Sequence, residues 1–280
     1  MHRNRGDGFS FSSSSMSSLA SRPYTPLQPC GILHTAVAIS GLLLEDPPTM
    51  NDFSPVAESD TALASPLARM ESVSRLFGSF AALRQVTVDF APGQCYVLLG
   101  ENGAGKSTLL RILAGLLLPS AGQVTVFEDQ KPSTARHRIG YMSHAAMLYD
   151  ELTGHENLSY FRSLYRGNEC LSPQEALNQV GLDPALTKTV GQYSQGMKQR
   201  ASLARVLLSQ PELLLLDEPF SNMDVESVQQ MVKLLARFRR GDRTILLTTH
   251  QRDLAAPIAD QILTLKAGRL LSLEPGNPTL

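Results

Sequence analysis

Three short stretches hold residues whose types and spacing suit chemistry on a phosphorylated ligand. The first is "GENGAGKST", in which Gly100 and Gly105 bracket four residues and Lys106, Ser107 and Thr108 follow. Glycines let successive backbone amides point inward, and a helix starting behind them adds its positive end. The loop Gly100, Glu101, Asn102, Gly103, Ala104, Gly105 and Thr108 is therefore a phosphate cradle. Lys106 reaches the β and γ phosphates, and the Ser107 hydroxyl is a ligand for Mg2+. A glycine-rich turn without function is the competing reading. Lys-Ser at the required spacing, between a strand pattern and a helix pattern, argues against it.

The second stretch is "LLLLDEP", which puts Asp217 at the C-terminal end of an apolar strand, where open α/β sheets bind ligands. Asp217 suits the magnesium shell, directly or through water, and Glu218 suits orienting and polarising an attacking water. The third is "TILLTTH", ending in His250. A neutral imidazole there can bond near a γ phosphate; a histidine that merely caps the strand is an equal competitor on these residues alone.

These groups need a scaffold that brings three strand ends together. "CYVLLG", "ELLLLD" and "RTILLTTH" are short, nearly continuous apolar runs of the kind buried on both faces. Between them lie helical patterns. Leu109, Leu110, Leu113 and Leu117 predict a helix stopped by Pro119. Helix is also expected over 162–181 and 195–208, and a further one starts near "LTGHENL". Val73 to Phe90 reads as two strands around Gly78, and two more flank Gly268. Strands alternating with helices indicate a largely parallel α/β core. The region 149–199 is mostly helical and reads as an inserted subdomain. Arg237, Arg239, Arg240 and Arg243 read as a solvated helix end and turn.

Composition sets limits. The 280 residues are 42% hydrophobic with a formal net charge of −1, so nothing suggests a field built for nucleic acid. Cys30, Cys95 and Cys170 are widely spaced and read as free thiols. Residues 1–65 differ from the rest: serine-rich low complexity, then scattered prolines. They read as a disordered extension, as an organellar transit peptide, or as sequence upstream of the true start, since Met50 and Met70 follow. The 14-residue apolar run Gly31–Leu44 is short for a membrane span of about 20 residues. The working unit is 66–280.

Over about Arg69–Gly276 the chain resembles the nucleotide-binding subunits of ATP-binding cassette transporters. The specific marker is "YSQGMKQRASLARVLL", similar to a family segment normally written Leu-Ser-Gly-Gly-Gln; Ser194 and Gly196 are kept, while Tyr193, Gln195 and Met197 differ. The resemblance implies an α/β phosphate-loop NTPase of cassette type. Its expected parts are a mostly parallel core sheet, an N-terminal antiparallel part and an inserted helical subdomain. It implies ATP and Mg2+, and a head-to-tail homodimer in which Ser194 and Gly196 contact the γ phosphate bound by the other copy. Ser194 is equally suited to capping its own helix. Phe77 matches the aromatic that stacks on adenine, although alone it reads as core. Ser221, Asn222, Met223 and Asp224 match a segment that touches the opposite subunit.

His144 falls where the family normally has glutamine near magnesium and the attacking water. A neutral imidazole accepts through one nitrogen and donates through the other, so it can imitate that role in part. Tyr141 and His144, with Leu152-Thr153 and Glu156-Asn157-Leu158, resemble the ATPase of the haem exporter in cytochrome c maturation. The expected function is ATP hydrolysis energising transport through separate polytopic membrane permease subunits, at the cytoplasmic face of a membrane and without direct nucleic-acid binding. ATPases of drug, lipid or ion exporters are the alternative. A soluble non-transport cassette ATPase is a further one.

Overall fold

The computed structural model describes residues 65–128, 130–165, 170–239 and 243–280. The readings made for residues 1–64, Cys30 among them, lie outside these. In chain order the elements are β1 (Ala68–Phe77), β2 (Phe80–Phe90), β3 (Cys95–Leu99), α1 (Lys106–Leu113), β4 (Ala121–Val126) and β5 (Ile139–Met142). There follow α2 (Gly154–Leu164), α3 (Pro173–Gln179), α4 (Gln195–Leu207), β6 (Leu213–Asp217) and α5 (Val225–Arg239). The chain ends with β7 (Thr244–Thr249), α6 (Arg252–Ala255), β8 (Gln261–Lys266) and β9 (Arg269–Pro275).

Two sheets form. β2, β1 and β4 make an antiparallel sheet in that order. The main sheet runs β5-β6-β7-β3-β8-β9, parallel except for β9. Its central strands are largely apolar because helices cover both faces. Tyr96, Leu98, Leu213, Leu215 and Leu246 point toward α1 and its Leu109, Leu110 and Leu113. The alternate residues Val97, Leu214, Leu216, Ile245 and Leu247 point toward Leu203 and Leu207 of α4 and Leu235 of α5. Complete burial of such a leucine contributes about 1.5–3 kcal/mol. Cys95 is fully buried too, and burial pushes its thiol up to about 12. Cys170 is a free thiol, half-buried.

Three expectations change. α1 ends at Leu113 rather than running to Pro119, because Gly115 takes a left-handed φ of 67° and a Cβ there would sit 2.7 Å from the Pro132 carbonyl carbon. The helix expected over 162–181 is two helices, since Ser172 caps a new one through a box with Glu175 and Pro173 opens it. The arginine group is not simply solvated. Arg239 pairs with Asp260 through two bonds of 2.7 and 2.6 Å, and Arg243 donates to the Pro211 carbonyl while covering Phe238. Arg240 lies outside the described residues.

The "LTGHENL" stretch explains itself locally. Thr153 caps α2 and Glu156 reaches back to it, completing a capping box. Asn157 is fully buried. Its amide nitrogen donates to the carbonyls of Tyr149, Leu152 and Thr153, and its oxygen accepts from the Tyr149 amide at 2.8 Å. One side chain thereby satisfies a loop that would otherwise bury unpaired backbone. Asn157→Leu, similar in volume but without these bonds, should lower unfolding free energy by about 2–4 kcal/mol. A denaturant midpoint equal to that of the wild type would remove this account of the loop.

Candidate active site

The loop after β3 turns back at its floor. Gly105 has a φ of 108°, and a Cβ there would lie 2.4 Å from the Ala82 carbonyl oxygen, so only glycine fits. α1 then starts at Lys106, whose side chain is almost wholly buried. Its Nζ donates to the carbonyls of Gly100 at 2.6 Å and Glu101 at 3.3 Å, and lies 3.4 Å from Glu218 Oε1. These partners offset the cost of taking its ammonium group out of water. Gly100 serves from behind the cleft: a Cβ there would be 2.4 Å from the Leu265 carbonyl oxygen.

β6 and β7 run parallel with Asp217 opposite Thr248. Asp217 is 2% exposed. Its Oδ1 accepts from Ser107 Oγ at 3.0 Å and from Thr248 Oγ1 at 2.9 Å. The same threonine hydroxyl accepts from the Glu218 amide at 2.9 Å. Glu218 has a left-handed φ of 52°, a costly backbone for a non-glycine residue. That turn aims its carboxylate at both Lys106 and His250, whose Nδ1 is 3.3 Å from Glu218 Oε2. The side-chain amide nitrogen of Gln251, Nε2, is 3.2 Å from His250 Nε2. An Nε2 that accepts from this amide leaves the ring proton on Nδ1, facing Glu218.

These groups share a cleft of about 570 Å³. It is lined by residues 101–108 together with Phe77, His144, Asp217, Glu218, Ser221 and His250. Phe77 is at the cleft wall, not in the core where its local sequence alone would put it. The loop bearing His144 is tethered to α4, since buried Ser202 donates to the Ala146 carbonyl at 3.0 Å. Ser107 and Asp217 offer a hydroxyl and a carboxylate within 3.0 Å of each other. That oxygen pair fits Mg2+, which keeps several ligand positions for water and phosphate.

Ser194 and Gly196 do not line this cleft. Ser194 Oγ accepts from the Met197 amide at 3.2 Å, so it caps α4. A Cβ on Gly196 would meet Ser227 Oγ at 2.5 Å, so its small size lets α4 pack on the start of α5. Asp224 accepts from the amide and hydroxyl of Ser227, and the amide bond chiefly holds its carboxyl below the usual range. Thr248, Phe80, Arg111 and Gln251 went unassigned in the sequence. Only Thr248 had a signal there: it is one of three threonines in a doubly covered strand whose other residues are apolar.

Residues 83–221 match the family model described as ABC transporter. The chain is 38% identical over 197 residues to the fluoroquinolones export ATP-binding protein of Mycobacterium tuberculosis, covering 69% of this chain and 65% of that one. It is 36% identical to Nod factor export ATP-binding protein I of Rhizobium johnstonii, covering 77% and 71%. It is 34% identical to the ABC transporter ATP-binding protein NatA of Bacillus subtilis, covering 68% and 80%. A solved dimeric ATP-binding cassette in a post-hydrolysis state, bound to ADP and Pi, is 25% identical with a TM-score of 0.65. That match covers 74% of this chain and 98% of the solved one.

Replacing Thr248 by valine keeps the shape but removes the donor to Asp217 and the acceptor for the Glu218 amide. Thr248→Val should weaken Mg2+-dependent nucleotide binding about 10-fold, and Thr248→Ser should restore it. Calorimetric titrations with and without EDTA measure this; equal affinity for the valine variant and wild type would exclude a positioning role.

Proposed function

The chain belongs to the ABC transporter family as an ATP-binding subunit, and from that premise we propose that it is a Mg2+-dependent ATPase working as a nucleotide-bound homodimer to energise export through separate membrane permease subunits. The observation carrying this reading is the convergence of Lys106, Ser107, Asp217 and Glu218 in one cleft through direct hydrogen bonds and an ion pair. Lys106 neutralises the β and γ phosphates, and Glu218 orients the attacking water. Ser107 and Asp217 hold Mg2+, which offsets phosphate charge when bound. His250, with its proton directed at Glu218, steadies that carboxylate, and Phe77 stacks on the base. Most of the rate gain is electrostatic, from groups already oriented before reaction.

Ser194 and Gly196 lie away from their own chain's cleft, as a head-to-tail arrangement requires of residues serving the other copy's phosphate. Gln195 adds a side chain at that surface where the family usually has none. Glu218→Gln should reduce phosphate release at least about 100-fold while leaving ATP binding, and raise the dimer fraction seen by light scattering with ATP. Full turnover in this variant would reject the assignment.

The partner reading draws on the helical stretch about 149–199. Tyr149 and Tyr160 pack edge to face at 5.2 Å and remain nearly half exposed, and Leu164 is 62% exposed beside them. No helix among the described residues is long and apolar enough to cross a membrane, so a polytopic partner would supply the substrate path. His144, on a loop tied to α4, would pass the nucleotide state to that surface.

For the cargo, relatives named for fluoroquinolone and Nod factor export favour an exporter of organic solutes. Haem export for cytochrome c maturation is the second reading, supported by Tyr141 and His144. Its "LT" and "ENL" residues have a sufficient local reason in the α2 cap and the Asn157 clasp. A mild-detergent pull-down that recovers a polytopic protein is the expected result. Partners dedicated to haem delivery would reverse the order of these two readings.

A further inference from the structure

The cleft has two chemically different ends. Lys106, Ser107, Asp217 and Glu218 gather at one, whereas the β1–β2 hairpin contributes Phe77 and Phe80 to the other. Phe77 and Phe80 are direct cross-strand partners on either side of the turn at Gly78, so both side chains leave the same face of the hairpin. They are 47% and 60% exposed. Two adjacent phenylalanines on a cleft wall, unlike single apolar residues scattered on a surface, present a ready platform for a flat ligand.

Behind this platform stands Arg75, two residues before Phe77 on β1. Its Cζ is 4.7 Å from the Phe77 ring centroid, and its Nη1 donates to the Leu118 carbonyl at 3.0 Å. Phe77 lines the cleft and Arg75 does not, so the guanidinium covers the ring face turned away from the ligand. One face of Phe77 is thus fixed by a cation and the other is left free.

We infer that Phe80 is a second nucleobase-contacting residue that sets a preference for purines, and that Arg75 is a positioning residue holding Phe77 in stacking orientation. This rests on the nucleotide reading of the cleft. A purine is broad enough to engage both rings, whereas a pyrimidine engages one. The preference therefore arises from ring area rather than from hydrogen bonds to the base edge.

The test titrates the wild-type chain, Phe80→Ala, Phe80→Tyr and Arg75→Met with the Mg2+ complexes of ATP, CTP and tripolyphosphate. Phe80→Ala should lose about 10-fold in affinity for ATP, no more than about 3-fold for CTP and none for tripolyphosphate. Phe80→Tyr should keep the wild-type values. Arg75→Met should lose about 3-fold for ATP alone. Unchanged ATP affinity in Phe80→Ala, or an equal loss for tripolyphosphate, would overturn the inference while leaving the nucleotide reading intact. Wild-type protein that binds tripolyphosphate but neither nucleotide would overturn both.

Discussion

A carboxyl group buried at the end of an apolar strand is the constraint around which the rest of this molecule is arranged. Taking Asp217 out of water costs several kcal/mol unless hydrogen bonds replace its hydration. Two hydroxyls do so, from Ser107 at the start of α1 and from Thr248 on the neighbouring strand. Each comes from a different part of the chain, so satisfying one oxygen also fixes the distance between the phosphate loop and two strand ends. Thr248 then does a second service by accepting from the Glu218 amide, which pins the strained turn that aims Glu218 into the cleft.

Charge balance follows the same logic. Lys106 and Glu218 form an ion pair at 3.4 Å with little exposure. Glu218 thereby compensates the charge that Lys106 brings to the phosphate loop.

The helical stretch is joined to the cleft by specific bonds rather than by proximity alone. Ser202 of α4 holds the loop after β5, where His144 sits, and Asn157 of α2 holds the turn that begins with Tyr149. The exposed tyrosines, the His144 loop and the cap of α4 therefore belong to one connected layer. Residues that look like a subfamily marker in the sequence turn out to do local work here. Thr153 and Glu156 cap a helix, and Asn157 satisfies buried carbonyls, whatever the cargo.

Much of the architecture was legible from the chain alone. Doubly covered strands read as unbroken apolar runs, and the phosphate loop has a spacing that few other structures need. Thus β3, β6 and β7, and the meeting of Lys106, Ser107, Asp217 and Glu218 beside their ends, could be expected from the chain alone. Helix ends were less legible, because α1 stops where Gly115 meets Pro132 across space, a contact with no local signature. What only tertiary structure decided is pairing. The register of β6 against β7 sets Thr248 on Asp217. The hairpin sets Phe80 beside Phe77, and the packing of α4 on α5 explains Gly196. Sequence dictates such residues by type, but a hydrogen bond or a stacked wall depends on where two distant segments meet.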